Sequence, residues 1–423
     1  MLSDIELKNK FKAYGKLDKS FSDEKLLLDN INHKDKEIRY LSVLNLAKLS
    51  NLNFLSIFKK LLKTESSSKV RRELASAIGR LRSEKCIDTL YELLDDKDPN
   101  VILQAIRGLL VFKQDKDVKN KLLRLKTHKN EIIKKIIKTE FETPKENNKD
   151  LVVHSPEKLQ NCVINDDAFK ILKKVDDESI HLTFTSPPYY NARDYSIYSS
   201  YDEYISFMLK IFKEVHRVTK DGRFLVLNTS PIIMPRPGRK YSSTRYPIPY
   251  DIHSGLVKMG WEFVDDILWV KPEPSAKNRI AGFEMHRKPL AYKPNCVTEQ
   301  IMVYRKESTK LIDWIYKQYP PDVIEESKVG DGYESSNVWN ISPKSSKKHS
   351  AIFPTELCDR VINYYSFKGD LIYDPFAGSG SVGVSAIRND RKFFLTELNE
   401  TYFQDMIERL QKDLFHEIIK TEI

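Results

Sequence analysis

The sequence predicts an α/β domain built on an open sheet and preceded by a separate all-α solenoid. Three observations carry this. Two strand-like runs, Ile180-His181-Leu182-Thr183-Phe184 and Leu371-Ile372-Tyr373, each lead into a Pro- or Gly-rich loop, and open α/β sheets bind ligands in such loops beyond their strand ends. Ahead of them, apolar positions recur every 31 to 32 residues, the mark of stacked helical hairpins. Between the two parts, residues 141–155 hold few apolar positions and read as a linker.

The solenoid comes first, over residues 1–140. Ile38, Val70, Val101 and Ile132 hold the same place in successive units; eight residues beyond the first three stand Leu46, Ile78 and Leu109, and eleven beyond stand Leu49, Leu81 and Phe112. Leu62, Leu94 and Leu125 follow at +24, where a second helix is expected. Polar breaks such as Asp95-Asp96-Lys97-Asp98-Pro99-Asn100 separate the helices, with Pro99 ending one or beginning the next. The pattern resembles three to four HEAT-like hairpins. A solenoid buries its apolar faces by stacking and leaves side faces free, here for DNA backbone or for a protein such as a partner enzyme.

Charge adds to this. The formal net charge is +10, and residues 1–150 hold 33 Lys and Arg against 23 Asp and Glu, while the rest balances at 37 against 37. A basic appendage on a neutral unit can supply phosphate neutralisation, and a solvated lysine-rich surface is the alternative. The four cysteines, Cys86, Cys162, Cys296 and Cys358, form no Cys-x-x-Cys pair, so neither a zinc site nor a disulfide framework is expected. No apolar run reaches membrane-spanning length and no basic-then-apolar leader opens the sequence, so a cytoplasmic protein without membrane contact is expected.

The second part, residues 156–423, carries the chemistry. Thr185-Ser186-Pro187-Pro188-Tyr189 follows the first strand-like run, and Asp374-Pro375-Phe376-Ala377-Gly378-Ser379-Gly380 follows the second. Asn165-Asp166-Asp167, Ile267-Leu268-Trp269-Val270-Lys271, Ile352-Phe353-Pro354 and Phe393-Phe394-Leu395-Thr396-Glu397 complete a linear order. Together they resemble the DNA amino-methyltransferases, and the catalytic loop preceding the cofactor loop is similar to their circularly permuted β group. The resemblance implies a Rossmann-like fold, S-adenosyl-L-methionine as cofactor, and DNA as substrate, in a restriction–modification or host-protection role. Ser-Pro-Pro-Tyr resembles the cytosine-N4 enzymes, with N6-adenine methylation as the alternative. An RNA or protein methyltransferase and an inactive DNA-binding scaffold are further alternatives.

The loop chemistry agrees with the resemblance. An exocyclic base amine has its lone pair delocalised into the ring, so acceptors must hold its hydrogens before nitrogen can attack. Ser186 offers a hydroxyl oxygen and Pro187 a carbonyl, while Pro187 and Pro188 stiffen the loop. Tyr189 would stack on a base swung out of the duplex, and Tyr190 would add to that wall. In the cofactor loop Gly378 and Gly380 allow close backbone approach. The resemblance assigns the cofactor to Asp167, Phe353, Pro354, Asp374, Pro375, Phe376 and Glu397 as well, Glu397 accepting from the ribose and Asp167 facing the adenine, with Asp166 not separable from Asp167. Residues 272–340 lie where the β group places target recognition. Lys277, Arg279 and Arg287 there, and Arg236 and Arg239 around Pro237-Gly238, are the candidate DNA-binding residues.

Overall fold

The structure is a computed structural model describing residues 2–141, 150–190, 198–234, 238, 240–273, 296–343, 353–413 and 419–423. It divides into two compact units, Met1–Lys145 and Glu146–Ile423.

The first unit is helical. Ile38, Val70 and Val101 are fully buried near the starts of helices Lys36–Lys48, Ser68–Arg80 and Pro99–Leu109, and Leu46, Ile78 and Leu109 are buried beside them. Pro99 begins its helix, where a missing amide donor costs nothing, and Asp98 caps it by accepting from Asn100 N–H. An ion pair repeats with the hairpins: Arg39 pairs with Glu65 and Arg71 with Asp96, and each arginine also donates to two backbone carbonyls just before its own helix. Three positions differ from the sequence pattern. The fourth unit buries Ile133 and leaves Ile132 51% exposed, a register shift of one residue, because helix Glu131–Phe141 turns Ile133 and Ile137 inward. Leu94 and Leu125 fall in 3-10 turns, Leu93–Asp95 and Arg124–Thr127, after helices Ile87–Glu92 and Lys116–Leu123 have ended.

Among the described residues the second unit carries an eight-stranded sheet. Its strands are β1 (Cys162–Ile164), β2 (Ile180–Thr185), β3 (Thr219–Thr229), β6 (Trp261–Val270), β7 (Thr298–Lys306), β8 (Val338–Asn340), β9 (Leu371–Asp374) and β10 (Lys392–Thr396), in the order β1-β10-β9-β2-β3-β7-β6-β8. Strands β4 (Ile232–Met234) and β5 (Thr244–Tyr246) form a separate ribbon. Among the described residues of the large sheet, β7 alone is antiparallel to its neighbours. Alternation along the strands feeds two cores. Leu225, Leu227, Leu371, Tyr373 and Phe394 pack under helices Tyr201–Val218 and Ile248–Lys258, while Val226, Ile372, Phe393 and Leu395 pack under Thr355–Tyr365, Ser381–Arg388 and Glu400–Asp413.

β2 and β9 are neighbours in this order, with Leu182 opposite Ile372 and Thr183 opposite Tyr373. Being parallel, they deliver the Ser186 loop and the Gly378 loop side by side at one edge of the sheet. At the opposite edge Asp370 is fully buried, paired with Arg223 and accepting from Tyr319 Oη at 2.7 Å. Burial pushes the neighbouring His181 imidazole down to about 3, so it stays neutral.

Candidate active site

β2 is buried along its whole length and ends where Pro187 and Pro188 remove two amide donors. β9 ends the same way at Pro375. The two ends are tied together: the Thr185 hydroxyl donates to Asp374 Oδ1 at 2.6 Å, and the Phe376 N–H donates to the same oxygen at 3.0 Å. Burial pushes the Asp374 carboxyl up to about 7 against these hydrogen bonds, and nearby Glu397 adds to the rise.

The cofactor-type loop is held from β10. Glu397, just after that strand, accepts from Gly378 N–H on Oε2 at 2.8 Å and from Asn399 N–H on Oε1 at 2.8 Å. Burial raises its pKa as well. Gly378 has φ +51° and Gly380 φ +72°, both left-handed, but their surroundings differ. A Cβ on Gly380 would lie 2.6 Å from Met406 Cγ, whereas one on Gly378 meets only the Phe376 carbonyl, at 4.0 Å. The space at Gly378 therefore fits a ligand lying against bare backbone. Gly380 caps helix Ser381–Arg388, whose first amides face this loop.

Phe353 stacks on Phe184 with ring centroids 5.0 Å apart, and the Pro354 carbonyl accepts from Leu357 and Cys358 as the next helix begins. Phe376 packs partly buried against the core on the other face. Asp167 caps helix Ala168–Leu172 by accepting from Lys170 N–H, while Asp166 accepts from Asp167 N–H and faces the Lys170 ammonium. Asn165 joins this turn to the Glu397 loop by donating to the carbonyls of Glu397 and Leu398.

On the catalytic-type loop, Ser186 Oγ accepts from Asn228 Nδ2 at 3.3 Å, and Tyr189 Oη donates to Glu299 Oε2 at 3.1 Å. Burial, with the Glu299 carboxylate beside it, holds the Tyr189 phenol well above its usual pKa, so it remains a donor. Tyr190 turns inward instead of extending the wall, with its ring against Tyr201, Tyr204 and Tyr246.

Asn228 and Glu299 were not singled out in the sequence, and Lys271 stood there only as the end of the Ile267-Leu268-Trp269-Val270-Lys271 run. Asn228 Nδ2 donates to Glu299 Oε2 at 2.6 Å, and Lys271 pairs with Glu299 Oε1. Glu299 opens β7 as an acid ahead of the apolar run Ile301-Met302-Val303, and that anomaly was the available signal. Arg236, Arg239, Lys277, Arg279 and Arg287 lie outside the described residues. Of the surrounding basic residues, Lys240 and Arg245 are exposed. Among the described residues no group of three or more His, Cys, Asp or Glu could hold a metal ion, and no helix is long and apolar enough to cross a membrane.

Both units resemble known proteins. The family described as DNA methylase, of the N6 and N4 methyltransferases, matches residues 180–409, more than half of the chain, and HEAT repeats match residues 24–110 and 55–137. The type II methyltransferase M.Cfr9I of Citrobacter freundii is 28% identical over 278 residues, covering 58% of this chain and 86% of that protein. The type II beta methyltransferase M.BslI of Bacillus sp. (strain NEB-606) is 30% identical over 260 residues, 57% of this chain but 26% of that protein, so the chain spans about a quarter of its length. The crystal structure of a putative DNA modification methylase from Thermus thermophilus, complexed with S-adenosyl-L-methionine, superposes with a TM-score of 0.51 at 24% identity, covering 62% of this chain and 97% of that one. That is a likeness of fold.

Proposed function

The chain belongs to the DNA methylase family, and from that premise we propose that it methylates the exocyclic N4 amine of cytosine in DNA, as a β-type, circularly permuted enzyme. S-adenosyl-L-methionine supplies the methyl group. The observation that carries the choice of base is Ser186, a hydroxyl where the resemblance associates Asp or Asn with adenine. It lies beside the cofactor-type loop because β2 and β9 are adjacent.

The residues divide the work. Ser186 Oγ and the Pro187 carbonyl accept the amine hydrogens, draw the nitrogen toward tetrahedral geometry, and hold it in line for attack. Tyr189 stacks on the flipped base, whose unstacking costs a few kcal/mol. After transfer the cationic amine is acidic and releases a proton to water. Gly378 lets the methionine part approach backbone, Glu397 has lone pairs left for the ribose hydroxyls, and Asp167 faces the adenine. Phe353, Pro354, Pro375 and Phe376 pack around the cofactor, and Asp374 accepts from its ammonium while fixing the loop. Residues 272–340 read the target sequence, and the solenoid adds affinity for DNA or for a partner such as a restriction endonuclease.

The experiment is transfer of labelled methyl to DNA, RNA and protein side by side. Label is expected in DNA alone, and Ser186→Ala is expected to lose about 100-fold or more in rate with cofactor affinity unchanged. Label in RNA or protein, or near-normal turnover by Ser186→Ala, contradicts the reading.

A further inference from the structure

The Asn228 amide is held in one orientation at a cost. Its Nδ2 spends its hydrogens on Glu299 and Ser186, while Oδ1 is buried and has no hydrogen-bond partner among the described residues. A buried acceptor without a hydrogen-bond partner is unfavourable. Turning the amide over would place Oδ1 against the Glu299 carboxylate, so the carboxylate decides the orientation. The same Oε2 accepts from Tyr189 Oη, and the other oxygen is occupied by Lys271. Three strands converge on this carboxylate: Asn228 stands near the end of β3, Glu299 near the start of β7, and Lys271 directly after β6.

We propose that Glu299, braced by Lys271, is the positioning residue of the catalytic loop, aiming Ser186 through Asn228 and fixing the Tyr189 ring directly. With an amide hydrogen on one lone pair of Ser186 Oγ, the other lone pair is the one left to accept from a target amine. With its hydroxyl tied down, the Tyr189 ring keeps one plane for stacking. An arrangement that leaves Oδ1 unpaired while both amide hydrogens are used fits a group placed for its orientation. The inference rests on the methyltransferase reading above but does not depend on which base is methylated.

The test uses the full chain and measures single-turnover methyl transfer to DNA, S-adenosyl-L-methionine affinity and thermal melting. Glu299→Gln keeps the shape but loses the charge that holds Lys271 and orients Asn228. It is expected to slow transfer about 10- to 100-fold, the scale of a misplacement near 1 Å, with cofactor affinity within about threefold of the parent. Lys271→Arg should keep most of the rate and Lys271→Met should not. Because Glu299 acts through its two partners, adding Glu299→Gln to Asn228→Ala with Tyr189→Phe should cost little more. Transfer within twofold of the parent by Glu299→Gln, full additivity with the partner substitutions, or cofactor binding lost in step with the rate would each overturn the proposal. If Glu299→Gln does not fold, equal rates for Lys271→Arg and Lys271→Met overturn it. A parent chain that methylates nothing would sink the function reading instead.

Discussion

Asp374 sits between the two loops, accepting from Thr185 and Phe376, with its carboxyl raised by burial to about 7 from an ordinary 3.8. The sign follows from linkage. Between about pH 4 and 7 the folded chain keeps a proton that the unfolded chain has lost, so this group's contribution to stability is present below about pH 4 and lost as pH rises toward 7. A ligand ammonium favours the carboxylate, so cofactor binding below about pH 7 should release a proton, and affinity should rise as pH passes from about 6 to 8. Calorimetry in buffers of different ionisation enthalpy reads this, and Asp374→Asn should abolish both effects; a pH-independent affinity in the parent would contradict the assignment. Ser186, Tyr189, Asp374, Gly378 and Glu397 could be singled out in the sequence because each lies in a contiguous motif, and the adjacency of β2 and β9 brings their loops together. The grouping of Asn228, Glu299 and Lys271 could not be, because they come together only through the β3-β7-β6 order, with β7 running against its neighbours.

The two glycines of the Asp374–Gly380 loop should separate into different failures at the level of the element. Gly380→Ala drives a Cβ into Met406 from a left-handed φ, and should cost stability by roughly 1–3 kcal/mol for overpacking and a further 1–2 kcal/mol for the backbone. In Gly378→Val the added Cβ has only the Phe376 carbonyl within 4.0 Å among the described residues, while a β-branched side chain at φ +51° strains the backbone, so stability should fall and S-adenosyl-L-methionine affinity should fall further still. Melting and titration calorimetry on both variants decide, and unchanged cofactor affinity in Gly378→Val would mean the loop is misassigned. The repeat helices were legible because Ile38, Val70 and Val101 keep one period and one buried face. The period lost its hold in the fourth unit, where a one-residue shift replaces Ile132 with Ile133 and both are isoleucine, so composition alone cannot separate them.

For the whole molecule the charge excess is more localised than its total suggests. Residues 107–138 hold 11 Lys and Arg against 3 Asp and Glu, and Arg107, Lys116, Lys119, Arg124 and Lys134 are exposed. A chain beginning at Lys149 should fold and bind cofactor, since the Glu146–Ile423 unit has its own two cores. Its DNA affinity should be lower, and its salt dependence shallower by about 0.9 in slope for each phosphate contact removed. Equal slopes for the two chains would exclude phosphate gripping by the solenoid and favour protein docking there. The two-part organisation was legible because repeat, linker and motif order occupy separate stretches, whereas the candidate DNA-binding residues Arg236, Arg239, Lys277, Arg279 and Arg287 rest on no period or motif and lie outside the described residues. The central claim, that Ser186 presents a cytosine amine for methylation, is tested most directly by nucleoside mass spectrometry of DNA treated with the full chain and S-adenosyl-L-methionine. N4-methylcytosine, absent with Ser186→Ala, is the expected product; N6-methyladenine in its place, or no methylated base, would contradict the account.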